Sequence, residues 1–417
     1  MNERRIDVCV LGGGAAGLAA AIKAKEIGAK TVVILDRNEE LGGILPQCIH
    51  TGFGLHYFRE NLTGPEYISR FIRKANDLGV ECRLETMVLN LTREGRIQAV
   101  NSLDGLFTMQ PRVVVLAMGC RERARGALRI PGTRPAGIFT AGTAQRIMDI
   151  EGYLPGKRVV ILGSGDVGLI MARRFAMEGI KVEAVVEMLP YPGGLQRNVV
   201  QCLEDFNIPL LLKHTITFVH GVDRVEGVTV TPIDEDNGLF TAGERVVSCD
   251  TLIISAGLIP ENELSQAAGV NIDPCTGGPI IDENFETSVR GIFACGNVVQ
   301  VQDLVDHVTF MGETAGESAA LYSLNKLSEL RRRIILKPGE NVRCVVPQII
   351  SGDKTVSLSI RVNEPVRDVN VKVGVFSIPK RVVSPPEMIS FSLTKDRMKD
   401  IAETNQLEVR IERRARS

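Results

Sequence analysis

The 417-residue chain has almost no net charge, no apolar run of membrane-spanning length and no Cys-x-x-Cys pair. Its 49 basic and 50 acidic side chains leave a formal charge of −1, so nothing in the charge balance favours a nucleic-acid partner. Arg331–Arg333 is too short a basic cluster to change that. Glycine, charged or polar residues interrupt every apolar stretch, which argues against direct membrane insertion. The N-terminus runs straight into a strand pattern with no cleavable leader, and a cytoplasmic location is the expectation. The nine cysteines, at 9, 48, 82, 120, 202, 249, 275, 295 and 344, are scattered. Iron–sulfur, zinc and paired-thiol chemistry therefore lack a sequence basis, and no metal site is expected.

What is present begins at residues 6–36. Val8, Cys9, Val10 and Leu11 form an apolar run that enters Gly12, Gly14 and Gly17. An Ala-rich helix pattern follows, then a second strand, Val32 to Leu35, ending at Asp36. In that order, Gly12 permits a sharp turn, Gly14 lets backbone approach a pyrophosphate, and Gly17 lets helix and strand pack closely. Helix N-terminal amides face the phosphates, and the acid accepts from ribose hydroxyls. The construction returns in KRVVILGSGDVG (157–168), with Gly163, Gly165 and Gly168, and a strand ending at Glu187. First glycine and acid are 24 residues apart in both copies. TLIISAG (251–257) echoes VVVLAMG (113–119). Two dinucleotide-binding domains in one chain are expected.

Between the copies, residues 37–60 read as a long Gly-rich loop broken by short helical pieces, a length that tends to be functional. A helix is expected over 65–78, strands over about 82–108 with turns at Glu94-Gly95 and Asp104-Gly105, and a later helix over about 310–325. From 335 the pattern changes to strand-length apolar runs such as TVSLSIRV, VNVKVGVF and LEVRIERR, predicting a small all-β domain.

These residues resemble the pyridine-nucleotide-disulfide oxidoreductase superfamily. A narrower likeness lies in LGGILPQCIHTGFG, CRER…RIPGTRPAGIFTAGTAQ and ACGNVVQVQDLVDHVTFMGETAG. These segments resemble the flavoprotein found beside anaerobic glycerol-3-phosphate dehydrogenase and the flavin/NAD subunits of amine, opine and proline-type dehydrogenase complexes. The resemblance implies an α/β fold of two interleaved Rossmann-like three-layer domains plus the C-terminal β domain. It places an FAD domain at 1–125 with 258–330, an NAD(H) domain at 126–257, and at 335–417 a domain with an assembly or interface role.

By the same resemblance, FAD is held by Gly12, Gly14, Ala15, Ala16, Gly17, Asp36, Arg37, Gly43, Val88, Ala117, Gly119, Gly296, Asn297 and Val308. NAD(H) is held by Gly163, Gly165, Asp166, Val167, Gly168 and Glu187, with Gly119 and Gly257 at the crossings between domains. Asn297 stands where the family's second FAD motif ends in Asp, so it brings a hydrogen bond without charge. A carboxylate at Glu187, with no Arg or Lys among Met188 to Tyr191, favours NAD(H) over NADP(H).

The residues expected to carry chemistry are Cys48, His50 and His307. Cys48 lacks the second cysteine of the disulfide reductases; it is either a single thiol over the flavin or a residue that shapes the pocket. His50 and His56 flank a Gly-rich turn, as a base or as hydrogen-bonding histidines. His307, placed just before the late helix, is a flavin or substrate contact. Arg121 and Arg123 either grip phosphate or make salt bridges at the junction. The function expected is hydride transfer between nicotinamide and flavin, in a subunit serving a partner dehydrogenase or electron-transfer subunit, with homo-oligomerisation a further expectation. The alternatives are a stand-alone NADH oxidase or peroxidase using Cys48, and a non-catalytic subunit that retains nucleotides as a scaffold.

Overall fold

The structure is a computed structural model and describes residues 5–234, 238–239, 241–399 and 404–414. The chain divides into two compact units, Met1–Cys120 with Pro260–Ser417, and Arg121–Ile259.

The first unit is built on five parallel strands in the order Ile292–Ala294, Val113–Leu116, Val8–Leu11, Val32–Leu35 and Glu81–Arg83. The central three are wholly buried, because side chains alternate between two covered faces. Val8, Val10, Val32, Ile34, Val113 and Val115 face the helices Ala15–Ile27, Gly64–Asp77 and Val305–Ser323. Cys9, Leu11, Val33, Leu35, Val114 and Leu116 face Leu91, Ile97, Ala99 and Met109 of an antiparallel three-stranded sheet. The Ala15–Ile27 helix is apolar nearly all round because it lies between the sheet and the Val305–Ser323 helix. A Cβ at Gly312 or Gly316 would lie 2.3 Å from Ala16 O or 2.2 Å from Ala20 O, so only glycine permits this approach. The Gly64–Asp77 helix starts at a capping box in which Thr63 and Glu66 satisfy each other's backbone amides.

The second unit repeats the plan. Its parallel strands run Ile138–Thr140, Thr251–Ile254, Arg158–Leu162, Lys181–Glu187 and Leu210–Leu212. Val159, Ile161 and Val185 pack on the Asp166–Met177 helix, while Val160, Leu162 and Val186 pack on an antiparallel sheet through Ile216, Val228 and Val230. Each unit thus sets the strand that feeds its glycine turn at the centre of its sheet. The fold is that of two Rossmann-like domains with a smaller C-terminal β domain.

That β domain is a five-stranded and a three-stranded sheet around one core of Leu336, Leu358, Ile360, Val371, Val409 and their neighbours. It belongs to the first unit and is joined to the rest of it by polar ties. Gln348 and Ile349 pair with the backbone of Ile281, Ser351 donates to Glu283 through both its amide (2.6 Å) and its hydroxyl (2.7 Å), and Lys354 donates to Asn284. Two expectations change here. VNVKVGVF is not one strand but a tight hairpin, Val366–Val373 to Phe376–Val383, because Gly374 takes φ +55°. The late helix begins at Val305, not near 310; its N-cap is Leu304, which makes no capping hydrogen bond and leaves no signal in the sequence.

Candidate functional site

In the first unit the Val8–Leu11 strand ends at Gly12, whose φ is +104° and where a Cβ would lie 2.4 Å from Ala117 O. A Cβ on Gly17 would lie 1.8 Å from Gly12 O, so the Ala15–Ile27 helix can seat on the turn only with glycine there. Asp36, 7% exposed, draws the turn to the end of the second strand. Its Oδ2 accepts from Gly13 N at 2.6 Å and its Oδ1 from Asn38 N at 2.8 Å. Each carboxylate oxygen has a second lone pair to offer a ribose hydroxyl. Gly42 N donates to Gly13 O at 2.9 Å, and Gly43 lies over Gly14, whose Cβ would meet Gly43 Cα only at 3.7 Å. Ala15 and Ala16 are in the first helical turn, so their amides have no carbonyl within the helix. Arg37 is exposed, Ala117 is buried and Val88 packs partly buried against the core. Gly119 has open space on its Cβ side.

The C-terminal part of this unit completes the site. Gly296 is packed against Ala16 and Val308. Asn297 Oδ1 accepts from Gln302 N at 3.0 Å and its Nδ2 donates to Cys120 Sγ at 3.6 Å, so its amide shapes the turn that leads into the Val305–Ser323 helix. Asp306 is 2% exposed; its Oδ2 accepts from His56 N at 3.0 Å. Gln302 Oε1, Asp306 Oδ1 and His307 Nδ1 are the buried side-chain polar atoms with no partner among the described residues. Two are obligate acceptors and the third is an imidazole nitrogen, and all lie within six residues at one helix start. Buried unpaired groups of this kind call for a ligand or water. Burial, and secondarily the nearby His56, lowers the His307 pKa below its usual 6.5, so the ring is neutral near pH 7. His56 and His307 ring centroids are 6.1 Å apart. Tyr67, fully buried, bonds Thr309 Oγ1 at 2.7 Å and its hydroxyl is pushed well above its usual pKa, chiefly by that burial.

His307 therefore stands in the first turn of the helix rather than before it. His56, more than His50, shares its neighbourhood: His50 Nδ1 engages Thr51 O, and its ring lies against Phe53. Cys48 donates to Ile44 O at 3.4 Å, and a Cβ on Gly64 would lie 2.8 Å from its own Cβ. The Cys48 backbone and Cβ thus back onto the start of the Gly64–Asp77 helix.

In the second unit Gly163 has φ +100°, and a Cβ there would lie 2.1 Å from Ser255 O. Gly168 approaches Gly163 O. Glu187 repeats the role of Asp36: its Oε2 accepts from Ser164 N (3.0 Å) and Ser164 Oγ (2.6 Å), its Oε1 from Leu189 N (3.0 Å). A Cβ on Gly165 or Gly257 would meet nothing within 4 Å. Val167 is exposed on the first helical turn. Asp166 faces the chain instead: its Oδ1 accepts from Leu195 N at 2.8 Å and Asn198 Nδ2 at 2.7 Å. Gly193 N donates to Ser164 Oγ at 2.8 Å. Arg121 and Arg123 are exposed.

Residues 193–195 form a strap over the second glycine turn that was not anticipated. A signal for it exists: Gly42-Gly43 follows Asp36 by six residues, and Gly193-Gly194 follows Glu187 by six. Tyr67 with Thr309 and Asp306 with His56 had no such signal, since only the packing of distant segments makes each pair neighbours.

Residues 6–320 match the family described as pyridine nucleotide-disulphide oxidoreductase. An opine oxidase subunit from Agrobacterium tumefaciens is 25% identical over 340 residues, covering 77% of this chain and 66% of that protein. The CoA-dependent NAD(P)H sulfur oxidoreductase of Pyrococcus abyssi is 27% identical, covering 72% of this chain and 64% of that one. The match thus spans slightly under two thirds of these relatives' own lengths. Among solved structures, T. acidophilum thioredoxin reductase superimposes with a TM-score of 0.63 at 25% identity, covering 77% of this chain and all of that one. Among the described residues no helix is long and apolar enough to cross a membrane. The glycine turns, their acids and this match together mean that the chain belongs to the pyridine nucleotide-disulphide oxidoreductase family, a family of FAD- and NAD(P)-dependent oxidoreductases.

Proposed function

We propose that the chain moves hydride between NAD(H), taken by the second unit, and FAD, held by the first. It works as one subunit beside a partner dehydrogenase that oxidises an amine, an opine or glycerol 3-phosphate. The carrying observation is the duplicated glycine turn, each drawn by backbone amides onto an acid at the end of the next strand.

The residues present fit FAD. The Gly12–Gly17 turn and the amides of Ala15 and Ala16 receive the diphosphate. Asp36 takes the adenosine ribose, and Asn297 with the start of the Val305–Ser323 helix takes the flavin end, where the unpartnered atoms of Gln302, Asp306 and His307 collect. Bound FAD supplies a ring that accepts and releases hydride. The helix start contributes its positive dipole end and amides, which favour negative charge there. Neutral His307 can accept a proton at Nδ1 without adding charge to the site at rest. In the second unit Gly163, Gly165 and Gly168 cradle the dinucleotide, and Glu187 accepts from its ribose hydroxyls and repels a 2′-phosphate. Cys48, held by Ile44 O and the Gly64 contact, shapes the loop rather than exchanging electrons. The Agrobacterium relative works as one subunit of an opine oxidase, which supports the partnered reading.

The test is anaerobic titration of the purified protein with NADH and NADPH, following the visible flavin band. Prompt bleaching by NADH, with a weaker response to NADPH, is the expected result. Bound FAD that neither nucleotide bleaches would overturn the hydride-transfer reading and favour the scaffold. Peroxide reduction lost in Cys48→Ser would instead restore the peroxidase reading.

A further inference from the structure

The segment that delivers the chain to the Val305–Ser323 helix is gripped by the C-terminal β domain. Arg361, on the Val356–Val362 strand of that domain, is the centre of the grip. Its Nη1 donates to Pro385 O (2.7 Å) and Pro386 O (3.0 Å), which anchor the guanidinium within the β domain. Its Nη2 donates to Asp303 Oδ1 (2.5 Å) and Val301 O (3.3 Å), reaching the incoming segment. Asp303 Oδ2 in turn accepts from Met388 N at 2.5 Å. The pair is mostly buried, with side chains 17% and 13% exposed. One turn earlier, Gln300 Nε2 meets the buried Cys344 sulfur at 2.9 Å.

Asp303 lies one residue from Gln302 and three or four from Asp306 and His307, which carry the unpartnered buried atoms. Asp306 is tied through its other oxygen to His56 N and Gln302 through its Nε2 to Gln300 Oε1, so the aim of the atoms left unpartnered depends on how the backbone that carries them is held. The helix start has no capping side chain to fix it. The planar fork of Arg361, held at one end by two carbonyls and at the other by a carboxylate and a carbonyl, supplies that rigidity.

We propose that Arg361 is a positioning residue of the flavin site, acting through Asp303 on the start of the Val305–Ser323 helix. The inference rests on the reading of the first unit as an FAD site. It assigns the C-terminal β domain a role in cofactor retention, beyond any part in assembly. The domain's ties through Ser351 and Lys354 reach Glu283 and Asn284 and not this segment, which provides a control.

The experiment compares full-length wild type with Arg361→Met, Asp303→Asn, Arg361→Lys and Lys354→Met. FAD dissociation is measured on deflavinated protein re-titrated with FAD, together with the shape of the bound flavin's visible band and its two-electron potential. Arg361→Met and Asp303→Asn should weaken FAD retention roughly tenfold or more, the scale on which outer partners tune a bound group, and should shift band and potential. Arg361→Lys, which keeps the charge but loses the fork, should fall between them and wild type. Lys354→Met should leave all three readouts unchanged even if it lowers the melting temperature. Wild-type protein that takes up FAD while Arg361→Met and Asp303→Asn match it overturns the inference alone. So does Lys354→Met moving the flavin readouts as far as Arg361→Met. Wild-type protein that takes up no FAD overturns the cofactor reading, and this inference with it.

Discussion

The two glycine turns share a plan but are secured by different chemistry. In the first unit the loop after the acid is fastened by backbone, Gly42 N to Gly13 O, and Gly42 packs against Pro46 and Ile68. In the second, Ser164 replaces Gly13 and its hydroxyl relays between Glu187 and Gly193 N, while Asp166 holds Leu195 and Asn198. A backbone fastening survives most side-chain changes; a side-chain fastening can be undone by one. That difference is what the proposed assignment, a resident FAD in the first unit and an exchanging NAD(H) in the second, would call for.

The sharpest way to break the comparison is at the third glycine of each turn. Gly17→Ala would put a Cβ 1.8 Å from a carbonyl oxygen, whereas Gly168→Ala meets its nearest atom at 2.7 Å. Gly17→Ala should cost about 3 kcal/mol or more and abolish FAD uptake, with Gly168→Ala milder and FAD retained. Denaturant unfolding and flavin content measure both.

The units also differ in how they hold an acid that accepts from backbone amides. Asp282 of the first unit is pushed up to about 6, mainly by burial, with the amides of Asn284 and Glu286 opposing. Asp250 of the second is held below its usual value: the amides of Lys157 and Arg158 and the Thr251 hydroxyl outweigh its burial. Between about pH 4 and 6 folded Asp282 keeps a proton that the unfolded chain has lost, so its contribution to stability is full below that window and falls as pH rises through it. Asp282→Asn should flatten that slope and recover about 2–3 kcal/mol near neutrality. Asp250→Asn should destabilise at neutral pH, and its difference from wild type should shrink as pH falls below about 4, where the wild-type contribution is itself lost. Urea unfolding followed across roughly pH 3–7 separates the two.

Smaller effects sharpen the second unit's side. Glu187→Gln should reduce the NADH-over-NADPH preference in kcat/KM by roughly tenfold, about 1.4 kcal/mol, with FAD content unchanged. An unaltered preference would remove Glu187 from the specificity reading. Asp166→Ala frees Leu195 N and Asn198, and should raise the KM for NADH a few-fold, on the order of 1 kcal/mol for a lost hydrogen bond. Steady-state kinetics with flavin content as the reference checks this. An equal loss of FAD would mean that the strap stabilises the whole chain rather than the nucleotide site.

The glycines, the two acids and the central strands were legible because each is a local pattern: apolar run, glycine spacing and acid lie within about one βαβ unit. The start of the late helix was not, since Leu304 is a silent N-cap, and the Gly374 hairpin was hidden inside an apolar run. The Gly193-Gly194 strap had a signal in its six-residue offset from the acid, visible only by aligning the chain with itself.

The linear sequence, then, determined the duplicated nucleotide-binding plan and the class of cofactors it suits, because sterics at Gly12, Gly17 and Gly163 admit few other residues. Only the tertiary structure decided that His56 and Asp306 meet across 250 positions, that Asp303 meets Arg361 across 58, and that the β domain is stitched into the first unit. Such contacts leave no periodic trace: each depends on where two distant backbones happen to be packed, and nothing in either local segment names its partner.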